Sequence, residues 1–363
     1  MKEQRVKAVV AREQGGRLEV EDLDLAGPGP GEVRVRLRAS GVCHSDLSIW
    51  DGTLGGSFPV VLGHEGAGEI TELGAGVADR AVGEHVILSW IPPCGRCRYC
   101  WSGQANLCTA VRERQAGRGH LSSDGGPVAA GLGTATFAEE TVVPVEAAIP
   151  IPADVPDAVA ALVGCGVMTG VGAVVNTARV APGESVVVIG CGGVGLNVLQ
   201  GARLAGADPI CAIDPLPGKR ETARHFGATH VATPEDLLEV SRQLTEGRGF
   251  DYAFEVVGRS STIRLAYDAT RRGGTTVVVG AGSRNDPVAF SAGELFSTER
   301  RLVGCLYGSA DVRTDFNRVL RLWQAGRLDL EGLVSRRIGL GDVNEAFEAM
   351  RAGDVVRSVI ELP

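Results

Sequence analysis

Cys94, Cys97, Cys100 and Cys108 follow one another at C-x2-C-x2-C-x7-C spacing. Four thiolates at such intervals can surround one tetrahedral zinc, because short loops let the sulfurs converge. Four sulfurs leave no open coordination position, so the site expected there is structural. A different chemistry is read at Gly190, Gly192 and Gly195, a G-x-G-x-x-G pattern that also contains Gly193 and Val194. Gly190 permits a tight turn, Gly192 lets the backbone approach a pyrophosphate, and Gly195 lets helix and strand pack closely. The helix start offers free N–H groups and a positive dipole end to the phosphates. Asp214 lies 19 residues beyond Gly195, where an acid hydrogen-bonds the ribose hydroxyls of NAD. A third set is Cys43, His64 and Cys165, each read in a glycine-flanked turn. A zinc held by two thiolates and one imidazole keeps a fourth position for substrate. Spacing alone does not pair Cys43 with Cys165, and either cysteine by itself reads as a buried small hydrophobe.

The elements around these residues are read from periodicity. Ser185–Ile189 is a β-branched run that suits a buried parallel strand. Val194–Ala205 reads as a helix, and Pro209–Ile213 as the strand that delivers Asp214. Further strands at Tyr252–Val256, Thr275–Val279 and Leu302–Leu306 alternate with helices at Arg220–Phe226 and Pro234–Thr245, the pattern of a parallel doubly wound sheet. A lone glycine motif is weak in a chain with 51 glycines; the complete strand–glycine–helix–strand–acid unit is strong. The amino-terminal third reads as β-rich. Val6–Val10 and Leu18–Glu21 form a hairpin. Glu32–Ala39 alternates, with Val33, Val35, Leu37 and Ala39 on one face and Arg34, Arg36 and Arg38 on an exposed one. Val60–Ile70 carries turn glycines at 63, 66 and 68. Val82–Leu88 and Thr136–Val143 are strands, and Arg112–Leu132 is a polar surface excursion. Val171–Thr177, Thr314–Ala325 and Val343–Arg351 read as helices, and Val355–Leu362 as a closing strand.

The chain has 363 residues and a formal net charge of −8, room for two domains. No block of like charge stands out, which argues against a nucleic-acid surface and against a zinc-ribbon nucleic-acid module at Cys94–Cys108. Met1–Val10 carries Lys2, Glu3, Arg5 and Lys7 instead of the apolar core of a signal peptide. No apolar run is read as long enough to cross a membrane. A cytoplasmic location is expected, where the nine cysteines point to metal or catalysis before disulfides.

Taken in order, these pieces resemble the zinc-dependent medium-chain alcohol dehydrogenases over nearly the whole length. The resemblance rests on GVCHSD (41–46), GHEGAG (63–68), the four-cysteine lobe, GCG-x-x-TG (164–170), GCGGVG (190–195), FEVVGR (254–259) and GDVVRSVIEL (353–362). The GCG-x-x-TG form is similar to the branch holding liver-type and thiol-adduct formaldehyde dehydrogenases. The resemblance implies an α/β fold with a GroES-like, β-rich catalytic domain over 1–166 and 308–363. A Rossmann domain with a doubly wound parallel sheet would occupy 167–307. It implies NAD, two zinc ions per chain, and a homodimer or a tetramer. Cys43, His64 and Cys165 match the catalytic ligands and Glu65 the nearby acid. Asp46 matches the carboxylate that orients the ligand histidine, and Ser45 the hydroxyl that takes the alcohol proton. Asp214 and Lys219 match the adenosine-ribose contacts, His44 and Arg357 the pyrophosphate contacts, and Thr169 a nicotinamide-side residue. Ser48 stands where the liver-type relay ends in a histidine. Trp90 stands where the family places an aromatic wall, Leu54 where the adduct branch has an acid, and Arg112 where that branch has an arginine. His85, His120, His225 and His230 match no site. The activity implied is reversible oxidation of a primary alcohol, aliphatic or aromatic, by NAD. The second reading is a formaldehyde dehydrogenase acting on a glutathione or mycothiol adduct. A catalytically silent relative would show damaged ligands, and all three are present.

Overall fold

The computed structural model describes residues 4–111 and 120–363; Arg112 lies outside them. The chain forms two units. One comprises the residues up to Gly166 with Asp311–Gly326 and Leu330–Pro363; the other comprises Val167–Ala310 with Arg327–Asp329.

In the first unit, β1 (Gln4–Ala11) and β2 (Leu18–Leu25) pair as a hairpin. β3 (Glu32–Val42) leads into α1 (His44–Trp50), then come β4 (Val60–Val61), β5 (Glu65–Leu73) and β6 (His85–Leu88). The short α2 (Arg98–Trp101) lies inside the cysteine lobe. β7 (Leu121–Ser123) and β8 (Gly126–Ala130) form a second hairpin, followed by β9 (Glu140–Pro144) and β10 (Ala148–Pro150). β1, β2, β7, β8 and β4 close a barrel. Its interior is filled by Val6, Val10, Leu23, Leu25, Val61, Leu62 and Phe137, each such side chain contributing about 1.5–3 kcal/mol by leaving water. A second sheet runs β10–β6–β5–β3, with β9 also on β3, and is extended past β3 by two carboxyl-terminal strands at 357–361 and 334–338.

Four expectations are corrected here. The arginine face of β3 is not uniformly exposed: Arg34 is buried, held by Gln4, Glu72 and Glu140, because β5 and β9 flank β3 on both sides. Gly66 and Gly68 are not turn glycines. They lie in β5, where a side chain would collide with Thr136 or with the Arg36 backbone; only Gly63 has the left-handed φ, +91°. The segment after residue 119 is no surface excursion, since β7 and β8 are barrel staves. Finally, the helix Asp157–Ala178, α3, is long and apolar enough to cross a membrane, with a mean hydropathy of 2.1 over its most apolar window, 94% of which is buried within the protein.

In the second unit, β11 (Val186–Ile189), α4 (Gly193–Ala205), β12 (Ile210–Ile213), α5 (Pro217–His225) and β13 (His230–Ala232) follow in turn. α6 (Leu237–Leu244), β14 (Phe250–Glu255), α7 (Ser260–Ala269), β15 (Thr270–Val278), α8 (Ala292–Thr298) and β16 (Arg301–Gly304) complete it. The six strands form one parallel sheet in the order β13–β12–β11–β14–β15–β16. The chain then returns to the first unit with α9 (Val312–Gln324), β17 (Val334–Ile338), α10 (Val343–Ala352) and β18 (Arg357–Glu361).

Candidate metal and cofactor sites

Cys43 is the last residue before α1, and its extended backbone ends β3. Its N–H donates to Asp46 Oδ2 at 3.2 Å. The other oxygen, Asp46 Oδ1, accepts from the Gly63 N–H at 3.0 Å and lies 2.9 Å from His64 Nδ1. One buried carboxylate therefore fixes the cap of α1 and the ring of His64 together. With Nδ1 bound to Asp46, Nε2 is left buried and without a hydrogen-bond partner. Cys165 lies in a π-turn of α3, Val163–Val167, and not in a loop turn as its flanking glycines suggest. Gly164 serves close packing, since a side chain there would press on the Leu88 carbonyl, whereas one at Gly166 would meet the Arg357 guanidinium only at ordinary contact distance. The ligand atoms of Cys43, His64, Glu65 and Cys165 lie within 4.8 Å of one another, and all four residues are buried.

In the metal-free pocket the thiol of Cys43 and the ring of His64 are held as a charged pair, so a cation binds by displacing the His64 proton. A hydrogen bond with Cys165 holds the Cys43 thiol well below its ordinary pKa; burial opposes this, and the charges of His64 and Arg357 assist. Burial disfavours charge on His64, but Asp46 and Cys43 outweigh it and raise the ring to about 10. Glu65 is held by the Gly166 N–H on Oε1, at 3.1 Å, and by the Arg357 guanidinium on Oε2. A side chain at Gly41 would occupy the place of that carboxylate. Two buried thiols and a buried, unpartnered imidazole nitrogen suit zinc with an open position.

Around them, Trp90 is half-buried and stands edge-on to His64. Ser45 is half-buried on the first turn of α1. Ser48 is buried, with Oγ 3.4 Å from His44 Nδ1. Leu54 is 41% exposed. The expected phosphate residue Arg357 is buried and engaged by Glu65. That pair is the feature missed from sequence; only the adjacency of Glu65 to His64 hinted at it, since the partners are 292 residues apart.

Cys94, Cys97, Cys100 and Cys108 also bring their sulfurs within 4.8 Å of one another. Cys97 Sγ is 3.6 Å from Cys100 Sγ and 3.9 Å from Cys108 Sγ. Backbone N–H groups of Cys100 and Thr109 lower Cys97 to about 5, while burial raises Cys100 to about 12. A fully thiolate set forms only on a cation that displaces the remaining protons.

In the second unit the glycine turn lies between β11 and α4. Gly190 has φ +98°. A side chain at Gly195 would collide with the Gly190 carbonyl, whereas one at Gly192 would meet nothing and would fill the space before the helix start. Gly193 and Val194 open α4. Asp214 is buried and accepts from the Cys191 and Leu216 N–H groups at 2.9 and 3.0 Å, so it also braces the turn, a role its position alone did not announce. Lys219 is half-buried on α5, and Thr169 is buried in α3. The cradle fits a dinucleotide. His85, His120 and His225 pair with Asp157, Glu32 and Asp329, and His230 with Thr229.

A barrel-bearing unit with two cysteine-based metal clusters, together with a doubly wound unit carrying a dinucleotide cradle, defines a zinc-binding dehydrogenase. The chain belongs to the zinc-dependent medium-chain alcohol dehydrogenases. Residues 29–153 match the alcohol dehydrogenase GroES-like domain, and residues 193–325 match the zinc-binding dehydrogenase domain. The S-(hydroxymethyl)glutathione dehydrogenase of Paracoccus denitrificans is 38% identical over 98% of this chain and 99% of its own. Two crystal structures are similar. One is an alcohol dehydrogenase zinc-binding domain protein from Burkholderia ambifaria (TM-score 0.94, 31% identity, 100% of both chains). The other is benzyl alcohol dehydrogenase from Acinetobacter calcoaceticus (TM-score 0.92, 30% identity, 99% of this chain and 100% of that one). The protein is a zinc-dependent alcohol oxidoreductase.

Proposed function

We propose that the protein oxidises primary alcohols with an apolar substituent, aromatic ones foremost, to aldehydes, reversibly and with NAD. The observation that carries this is Trp90: its ring centroid is 6.1 Å from that of His64, with the planes at 84°. An apolar wall thus stands beside the residue assigned to the metal, and each buried methylene there contributes about 0.8 kcal/mol. Leu54 offers a polar adduct no charge. The relative named for benzyl alcohol supports this reading. The relative named for S-(hydroxymethyl)glutathione favours the second one, a formaldehyde–thiol adduct.

Cys43, His64 and Cys165 are the ligands of the catalytic zinc, and Cys94, Cys97, Cys100 and Cys108 those of the structural one. The catalytic ion supplies Lewis acidity, which lowers the pKa of an alcohol oxygen. Asp46 holds the Nδ1 proton of His64 and so keeps the Nε2 lone pair available. Glu65, fixed by Arg357 and Gly166, places a second negative charge beside the thiols. Ser45 accepts the hydroxyl proton of the alcohol and passes its own proton outward. A bound nicotinamide would accept the carbon-bound hydrogen as hydride, and the protein would supply its orientation and electrostatics. Gly190–Gly195 serve the pyrophosphate, Asp214 and Lys219 the adenosine ribose, and Thr169 the nicotinamide side. The protein works in the cytosol as a homodimer joined through β16, an edge strand that exposes Leu302; a monomer by light scattering at micromolar concentration would reject the dimer.

The substrate test compares kcat/KM for benzyl alcohol and hexanol with that for formaldehyde premixed with glutathione or mycothiol. The alcohols are expected to lead. An adduct that wins by tenfold or more, about 1.4 kcal/mol of transition-state binding, overturns the apolar-pocket reading in favour of the second.

A further inference from the structure

At the carboxyl end of β12 the chain turns from Asp214 through Pro215 and Leu216 into α5. Both carboxylate oxygens of Asp214 are engaged inside the fold. Oδ2 accepts from the Cys191 N–H and Oδ1 from the Leu216 N–H, and each such bond stabilises the charged form. The backbone of the same turn is tied by Arg220. Its Nη1 donates to the Asp214 carbonyl at 2.7 Å and to the Pro215 carbonyl at 2.9 Å.

That tie leaves most of the guanidinium unused. Arginine has five N–H donors. Nη1 directs its own to the two carbonyls, and among the described residues Nε and Nη2 have no partner. The charge is unmatched too. Among the described residues neither Arg220 nor its neighbour Lys219 forms an ion pair, and Glu221, the only acid on α5, pairs with Arg224. Both cations are half-buried, whereas Pro215–Gly218 beside them is exposed. A side chain at Gly218 would meet nothing, so open space adjoins the two cations. Their fields reach the glycine turn: burial and then Asp214 push the Cys191 thiol up, while Lys219 and Arg220 act to lower it. A half-buried cation without a counter-ion costs free energy, and bracing two carbonyls requires donors but no net charge. An anionic ligand would remove that cost.

The cradle supplies the ligand. Asp214 is read as the acceptor for the adenosine ribose hydroxyls. NADP differs from NAD only by a phosphate on the 2′ oxygen of that ribose, so its added negative charge lies beside Asp214, which opposes it. A guanidinium fork matches phosphate geometry, and an arginine near this acid is how a dinucleotide fold accommodates a 2′-phosphate. Arg220 is bonded to the Asp214 backbone itself, which places its unused donors next to the ribose position.

We infer that Arg220 is a specificity-determining residue of the cofactor site: its unused donors receive the 2′-phosphate of NADP, so that Asp214 makes NADP the weaker cofactor without excluding it. The inference rests on reading Gly190–Asp214 as the cofactor cradle.

The test compares ligands that differ only in the 2′-phosphate. NADH and NADPH are followed by fluorescence, and 5′-AMP and 2′,5′-ADP by calorimetry, on the zinc-loaded protein and on Arg220→Met and Arg220→Lys. The unmodified protein is expected to bind NADH more tightly than NADPH and to bind both. Arg220→Met should weaken NADPH and 2′,5′-ADP about tenfold and leave NADH and 5′-AMP within about twofold. Arg220→Lys keeps the charge and should recover part of the NADPH affinity. Equal weakening with and without the 2′-phosphate, the result for a residue that only braces the turn, overturns the inference, as does no weakening at all. An unmodified protein that binds NADH and 5′-AMP but neither 2′-phosphorylated ligand overturns it as well. Should Arg220→Met fail to fold, Arg220→Gln keeps an amide donor for the carbonyls, removes the charge and carries the same expectations. An unmodified protein that binds none of these ligands would instead overturn the cradle reading, and the inference with it.

Discussion

Cys94 and Cys108 lie only 14 positions apart in the chain, whereas the cluster of Cys43, His64, Glu65 and Cys165 gathers a strand end, a turn, a new strand and a helix. Glu65 and the Gly166 N–H it accepts from are 101 residues apart. The lobe's geometry is a property of one short segment and its metal. The other cluster is carried by two sheets and α3, each of which is held by its own core. Charge follows the same division. In the lobe, backbone N–H groups and burial set neighbouring thiols far apart, near 5 and near 12. In the buried cluster, Asp46 and Cys43 raise His64, and Cys165 and His64 lower Cys43. Both ligand sets converge within 4.8 Å, the first from one short segment and the second from distant ones.

The sharpest way to break this comparison is to remove one ligand from each side. Cys43→Ala should lower turnover by at least about 10³-fold, since Lewis-acid stabilisation is worth several kcal/mol, with the melting temperature little changed. Cys97→Ala should do the reverse, lowering stability by about 2–5 kcal/mol while each folded molecule keeps its kcat. Turnover per intact chain and thermal unfolding, measured on both variants, decide it; a matching profile for the two would erase the distinction. Metal analysis of active protein should count two zincs per chain, and one tightly held zinc would contradict the pairing of sites.

Next in size is Asp46→Asn. It keeps the shape but removes the charge that orients His64, and should weaken zinc at the buried cluster by about 10–100-fold while leaving the lobe's zinc in place. Competition with a chromogenic chelator resolves the two populations. Asp214 offers a control in the other unit. Asp214→Ala should narrow the preference for NAD over NADP by about 1–3 kcal/mol, and Asp214→Asn should retain more NAD affinity, because one of the Leu216 and Cys191 N–H groups keeps its acceptor. Equal use of both cofactors by the unmodified protein would remove the basis for this assignment. The smallest effect is expected from Ser48→His, a rise in turnover of about two- to fivefold near neutral pH where proton transfer limits the rate. An unchanged pH–rate profile would place the limit at hydride transfer or cofactor release.

Short-range order was legible in the amino-acid sequence for physical reasons. The β-branched run before Gly190, the glycine spacing and the distance to Asp214 are all local, and each has one steric or electrostatic cause. The four-cysteine spacing works alike, because sulfurs a few residues apart meet whatever the rest of the chain does. Tertiary structure alone decided the features whose partners are distant. It brought Cys165 to Cys43, tied Arg357 to Glu65, and gave Asp46 a second function at the cap of α1. It buried Arg34 between two flanking strands, turned Gly66 and Gly68 from apparent turns into contact points, and recruited β7 and β8 as barrel staves. A residue's local pattern states which face or turn it suits, but closure of a barrel or a metal pocket depends on which surfaces meet. That is settled by packing summed over the whole chain, and no window of neighbouring residues contains it.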